Sequence, residues 1–275
     1  MSLNRKNHIW SCLQQHYEEA KSLGYEIFAI VVQGSQNYDL DIYTDQYKSD
    51  IDTKAITLPS FEDFVRGSAP VSKTHVRINE EHIDIKDIRV MFEMFKKQNV
   101  NFVEILFSDY CIVNEKYKNY WEMLRSIAEQ IVHCHPAQTV KTMAGMSMEK
   151  VKALCHPYPS IAHKIEKYGY DPKQLHHIIR INMFLKEYIK GKSFKICLTE
   201  GHDRQRLRDI KTGKIVFSKE DAVRMAEAVD AETNKIKNEF IQKNGSDIID
   251  TMPYKILEDI KYQILKDYFC EELTK

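Results

Sequence analysis

Glycine and proline are scarce in this chain of 275 residues, nine and seven respectively, which excludes extended linkers and wholesale disorder. No run approaches the ~18 to 20 apolar residues of a membrane-spanning helix, and the first residues hold no apolar signal core. A cytoplasmic protein without a membrane partner is expected. The sequence also lacks Gly-x-x-x-x-Gly-Lys-Ser/Thr, which argues against a P-loop NTPase. Its six cysteines, Cys12, Cys111, Cys134, Cys155, Cys197 and Cys270, are scattered through a chain too large to need covalent staples, as reduced thiols would be. Net charge is absent too: 40 Lys and Arg balance 40 Asp and Glu, so the overall sum does not favour a general nucleic-acid binder.

What is present is globular, with 43% hydrophobic and 29% charged residues, enough to bury a substantial core in one or two domains. The charge is unevenly spread. Residues 39–63 carry seven acids and two bases, a net of −5, whereas 160–217 carry thirteen bases and six acids, a net of +7. Such patches suit a metal site and an anionic substrate, or else two solvated surfaces.

Apolar periodicity predicts a helix over 7–23, ended by Gly24, and then a strand over 26–32 that runs into Gly34-Ser35. A short helix or turn over 36–40 and a polar connection over 41–48 lead to a second strand over 50–56, closed by Pro59. A third strand over 80–88 alternates His82, Asp84 and Lys86 against Ile83 and Ile85. Residues 88–97 form an apolar helical stripe, and 101–107 read as a fourth strand with Glu104 among apolar neighbours. Helices follow over 117–132, 139–154, 172–190, 219–243 and 253–272. Breaks are expected at His135-Pro136, at 156–159, and at Gly191, Gly201, Gly213 and Gly245. The fold class expected is α+β: a small mixed β-sheet domain flanked by helices over 1–114, then a mostly helical domain over 115–275 forming part of a substrate cleft.

Two strand positions separated by one share a face, ~6 to 7 Å apart, so Asp50 and Asp52 can reach into one site. Mg²⁺ is held by one or two carboxylates plus substrate phosphates, and Mn²⁺ takes the same oxygen ligands. Asp84, on the corresponding face of the next strand, supplies a third carboxylate near an attacking hydroxyl. Gly34 permits a tight turn after the first strand; where a helix begins just beyond it, the amides of Ser35 and Gln36 and the Ser35 hydroxyl can face a phosphate. The order strand, Gly-Ser, helix, Asp-x-Asp strand, then a further Asp-bearing strand predicts metal-dependent nucleotidyl transfer.

Through Gly34-Ser35, Ser49-Asp50-Ile51-Asp52 and Asp84, the sequence resembles the nucleotidyltransferase superfamily typified by DNA polymerase β. More narrowly it is similar to the predicted nucleotidyltransferases of bacteria and phages often called YcgL-like. The similarity lies in residues 34–40, 99–107 and 167–173, in His176, His177 and Arg180, and more faintly in 207–213. It departs from that group at Asp39, where glycine is frequent, and at Val100, where proline is. The resemblance implies a mixed sheet with a helical partner domain, Mg²⁺ as cofactor, and transfer from a nucleoside triphosphate. The acceptor is left open between a protein side chain, a nucleic-acid end and a small molecule.

Lys173, His177 and Arg180, spaced by four and three on one helix, are expected along one face that receives a triphosphate or a nucleic-acid backbone, or else form an exposed polar stripe. Glu104 is either in a structural ion pair or at the site, because a buried carboxylate needs a partner. The doublets Cys134-His135 and Cys155-His156 lack the ligand gaps of a zinc site and read as buried thiols with helix-end histidines. The rival to an enzyme is a nucleotide- or RNA-binding regulator of the same fold, for example a defence or toxin-antitoxin component, which has little need of three acids on one face.

Overall fold

A computed structural model describes residues 3–44, 47–199 and 203–274, so the expected break at Gly201 and the middle of the 41–48 connection lie outside the described residues. The fold is α+β, with a five-stranded mixed sheet and a helical C-terminal region. The chain forms two compact units. One comprises Met1–Asn37, Lys48–Cys134 and Asp250–Lys275; the other comprises Tyr38–Tyr47 and His135–Ile249. These units interleave along the chain, whereas the sequence suggested a single break after residue 114.

In the first unit, helix α1 (Leu3–Ser22) leads to strand β1 (Glu26–Gln33) and a 3₁₀ turn, Gly34–Tyr38. Strand β2 (Asp52–Leu58), helix α2 (Phe61–Val65), strands β3 (Ser72–Val76) and β4 (His82–Asp87) and helix α3 (Ile88–Lys96) follow. The sheet order is β3-β4-β2-β1-β5, where β5 is Cys111–Val113. Strands β2 and β4 run parallel and the remaining neighbours antiparallel. Ile27 to Val32 of β1 are buried without alternation, as expected of a strand covered on both faces. Helix α1 covers one face, where Ile9, Leu13 and Ala20 pack with Ile30, Val32, Ala55, Ile83 and Ile85 in one hydrophobic cluster.

Three expectations change here. Residues 101–107 are helical, not a strand: α4 (Val100–Val103) continues into a 3₁₀ turn, Glu104–Phe107. The Asn99 side chain accepts from the Asn101 amide and starts the turn, and a short buried apolar run has no period that separates helix from strand. The edge strand β3, Ser-Lys-Thr-His-Val, was missed because its mostly exposed side chains leave no hydrophobic alternation. Helices α5 (Lys118–Ser126) and α6 (Ala128–His133) replace the single helix expected over 117–132.

The second unit is helical: α7 (Pro136–Ala153), α8 (Ala162–Tyr168), α9 (Pro172–Tyr188), α10 (Phe194–Thr199), α11 (Arg204–Lys211) and α12 (Lys219–Asn244). Pro136 and Pro172 open their helices at positions needing no amide donor, and Asp171 caps α9 by accepting from the Lys173 amide. Leu154, Tyr170, Leu175, Ile178, Ile210, Ala222 and Ala226 form its core. The last helix, α13 (Met252–Glu272), belongs to the first unit and packs on α3, α5 and α6. Among the described residues no helix is long and apolar enough to cross a membrane.

Candidate functional site

Antiparallel pairing of β1 with β2 sets Gln33 opposite Asp52, so the Gly34-Ser35 turn and the Asp-x-Asp segment lie at the same end of the sheet. Gly34 has φ +85°, a backbone that side chains with a Cβ rarely adopt, and this sharp exit from β1 starts the 3₁₀ turn. The Gln36 side chain then donates to the Asp50 carbonyl at 2.7 Å and ties the turn to the acidic segment. Asp50 is exposed and precedes the strand, which begins at Asp52 rather than at 50. Ser35 is half-buried. Asp52 Oδ1 accepts from the His82 amide at 2.9 Å and lies 3.2 Å from its Nδ1.

Register also defines the row of side chains one step inward. Val31, Lys54, Asp84 and Thr74 are successive partners across β1, β2, β4 and β3, so all four share the face that carries Asp52. Asp84 therefore shares the predicted face, but Lys54 stands opposite it where a direct neighbour of Asp52 would be His82. Lys54 Nζ is 2.9 Å from Asp84 Oδ2, and Lys86 Nζ is 2.9 Å from Oδ1. The side chains of Lys54, Lys86 and Asp84 are 4%, 13% and 14% exposed. The Lys54 ammonium also lies 4.0 Å from the centre of the Phe102 ring. Burial raises the Asp84 carboxyl, but the two lysines outweigh it and hold the group below the usual carboxylate range. Burial lowers the Lys54 pKa against the pull of Asp84. Strand alternation puts Lys54 on the face of Asp52 just as it puts Lys86 on the face of Asp84, so the bases as well as the acids of this row are legible in the sequence.

The opposite face carries a polar seam in an apolar interface. His16 of α1 is 0% exposed, with Nε2 3.0 Å from Glu81 Oε2 and Nδ1 2.9 Å from the Thr53 hydroxyl. Since the carboxylate can only accept, Nε2 donates to Glu81. Glu81 also accepts from Arg77, Asn79 and the Ile51 amide. Burial raises its pKa, but His16, Asn79 and the Ile51 amide bring it down to about 2. Glu104 is 2% exposed and accepts from the Gly34 amide at 2.8 Å. Its carboxylate thus supports the turn directly, a backbone partnership that neither sequence reading contained.

The cationic helical face belongs to the second unit. Arg180 is 6% exposed, and its guanidinium carbon lies 4.0 Å from the Tyr38 ring centre. His177 and Lys173 are half-buried one and two turns earlier on α9. Burial first, then His176, Arg180, Lys173 and Lys150, push the His177 pKa well below the usual imidazole range. Lys150, on the packed neighbour α7, is itself lowered by burial and by Lys173 and Arg180, although Glu149 and Asp171 oppose the shift. The expected stripe is thus partly buried, and Lys150 from another helix joins Lys173 and Arg180 as a third cation beside the His177 ring. Such a cluster favours an anion. His176 points away into the unit, with Nδ1 donating to the Leu207 carbonyl at 2.9 Å.

Asp50 and Asp52 are hard oxygen donors of the kind Mg²⁺ uses together with substrate phosphates and water. Among the described residues no group of three or more His, Cys, Asp and Glu side chains is arranged to hold a metal ion, and Asp84 is occupied by its lysines. Cys134 donates to the Ile131 carbonyl, burial raising its thiol to about 11, and the His156 ring packs at a tilt against Tyr158, their centres 4.2 Å apart. These contacts fit the doublets' reading as structural residues.

No family model and no curated protein matches the chain. A comparison of folds finds likeness to the crystal structure of a nucleotidyltransferase-like protein from Exiguobacterium sibiricum 255-15. That likeness covers 94% of this chain and 90% of the other, at 14% identity and a TM-score of 0.32. So low a score carries no argument about activity, and the chemistry must be read from the residues.

Proposed function

We propose that the protein is a metal-dependent nucleotidyltransferase, moving a nucleoside monophosphate from a nucleoside triphosphate to an acceptor with release of pyrophosphate. The observation that carries this reading is the Gln33–Asp52 register, which brings the Gly-Ser turn and the Asp-x-Asp segment to one end of the sheet. Asp50 and Asp52 would hold Mg²⁺, or Mn²⁺ in its place. When bound, that cation neutralises phosphate charge and polarises the reacting oxygens. Ser35, with the turn set by Gly34 and Glu104, would orient the terminal phosphates. Lys173, His177 and Arg180 would bind the triphosphate or the acceptor. An acceptor hydroxyl forms the new bond to the α-phosphorus as the bond to the bridging oxygen breaks, and pyrophosphate departs. Asp84 would take the hydroxyl proton after parting from Lys54 and Lys86.

The lysine bridges on Asp84 favour a second reading, a nucleotide- or RNA-binding regulator that keeps the face without turnover. Incubation with Mg²⁺, each α-labelled triphosphate and a cell lysate as acceptor separates the two. Transfer of label, lost in Asp50→Ala/Asp52→Ala, is expected of the enzyme. Transfer that survives the double substitution removes the metal assignment, whereas nucleotide binding without transfer to any component supports the regulator.

A further inference from the structure

We infer that His16 and Glu81 are positioning residues that hold the Asp50-Ile51-Asp52 segment in the geometry a divalent cation needs, a role that rests on the nucleotidyltransferase reading. They touch neither carboxylate. They grip the residues on either side of Asp52 from the underside of the sheet: Glu81 Oε1 accepts from the Ile51 amide at 3.3 Å, and His16 Nδ1 meets the Thr53 hydroxyl at 2.9 Å. His82, the next residue after Glu81, holds Asp52 Oδ1 through its amide at 2.9 Å on the opposite face. Both neighbours and one carboxylate oxygen of Asp52 are thereby fixed by two adjacent residues of β4 and its approach, together with one residue of α1.

The seam is unusual for its surroundings. Helix α1 meets the sheet through Ile9, Leu13 and Ala20 against Ile30, Val32, Ala55, Ile83 and Ile85, where an apolar residue at position 16 would suit the interface. His16 and Thr53 are each 0% exposed, so their polar atoms must be satisfied internally. Both ring nitrogens have partners, and Glu81 Oε2 is further held by Arg77 at 3.0 Å and Asn79 at 2.8 Å. A fully satisfied polar network specifies one arrangement where apolar packing alone tolerates sliding. What it specifies here is the backbone on each side of Asp52. Outer-shell partners of this kind typically change metal affinity by about 10- to 100-fold when removed.

The test uses the full chain and Mn²⁺ alone, with free Mn²⁺ read by its electron paramagnetic resonance signal and each variant's thermal midpoint measured alongside. His16→Leu and Glu81→Gln are expected to weaken Mn²⁺ binding about tenfold, while His16→Gln, whose amide can still donate to Glu81, recovers most of it. Leu13→Ala, one turn away in the same interface, lowers the midpoint without changing Mn²⁺ affinity and so controls for stability. Unchanged affinity in His16→Leu, or an equal loss in Leu13→Ala, overturns the positioning role alone. Wild-type protein that binds Mn²⁺ no better than Asp50→Ala/Asp52→Ala overturns the cation site itself and the positioning role with it.

Discussion

Replacing Asp84 with asparagine separates a carboxylate waiting for a metal from one already committed to an ion pair, because the two roles predict opposite changes in stability. An acid held among other acids relaxes repulsion when neutralised, so its loss is neutral or stabilising. Asp84 instead faces two ammonium groups at 2.9 Å, and Lys54 is only 4% exposed. Removing one partner of a fully buried pair costs about 3–5 kcal/mol, chiefly because the other charge is stranded. Two features reduce that figure here: the asparagine oxygen can still accept one bond, and Lys54 keeps the Phe102 ring at 4.0 Å, a contact contributing about 0.5–2 kcal/mol. A loss of about 2–3 kcal/mol is expected, or roughly 4–12 °C in the melting midpoint. Trp10 and Trp121 are the two tryptophans of the chain and both lie in the first unit, so urea titration followed by tryptophan fluorescence, without divalent cations, reports this unit alone. Lys54→Met/Asp84→Leu should recover the part of the loss that stranding Lys54 causes, since apolar residues of similar volume replace buried pairs with little penalty, while Lys86 keeps only the Ser72 hydroxyl at 3.0 Å. Asp84→Asn protein as stable as wild type, or more so, would refute the lysine-bridged account and return Asp84 to the role of a waiting ligand.

Gly34→Ala should destabilise the first unit by about 1–2 kcal/mol through backbone strain alone, because φ is +85° while a Cβ there meets nothing within 4 Å; an unchanged urea midpoint would show that the turn adapts. The Glu81 carboxyl has a folded pKa of about 2 against an ordinary 4.5, so the stability it contributes is complete above the unfolded value and is lost as pH falls through the folded one. The full contribution is about 3 kcal/mol, and the advantage of wild type over Glu81→Gln in urea titrations should shrink by more than half between about pH 5 and about pH 3. An advantage independent of pH over that range would contradict the assignment.

The one-dimensional pattern determined the α+β class, the strand before Gly34-Ser35, the strands bearing Asp52 and Asp84, and α9, because long apolar periodicities and turn residues act locally. Strand alternation likewise put Asp52 and Lys54 on one face, since side chains alternate whatever the register. Tertiary structure alone decided what those side chains meet. Pairing of β1 with β2 and of β2 with β4 chose Gln33 for Asp52 and Lys54 for Asp84, and a shift of one residue would have turned each side chain to the other face. The helical turn at 101–107 was undecidable from a short apolar run, yet only that turn brings the Glu104 carboxylate to the Gly34 amide. His16, Thr53 and Glu81 are 37 and 28 residues apart in successive steps along the chain and carry no motif. They meet because burial of the apolar stripe of α1 fixes how that helix lies on the sheet, and a polar residue within such a stripe finds its partner only after the stripe is buried.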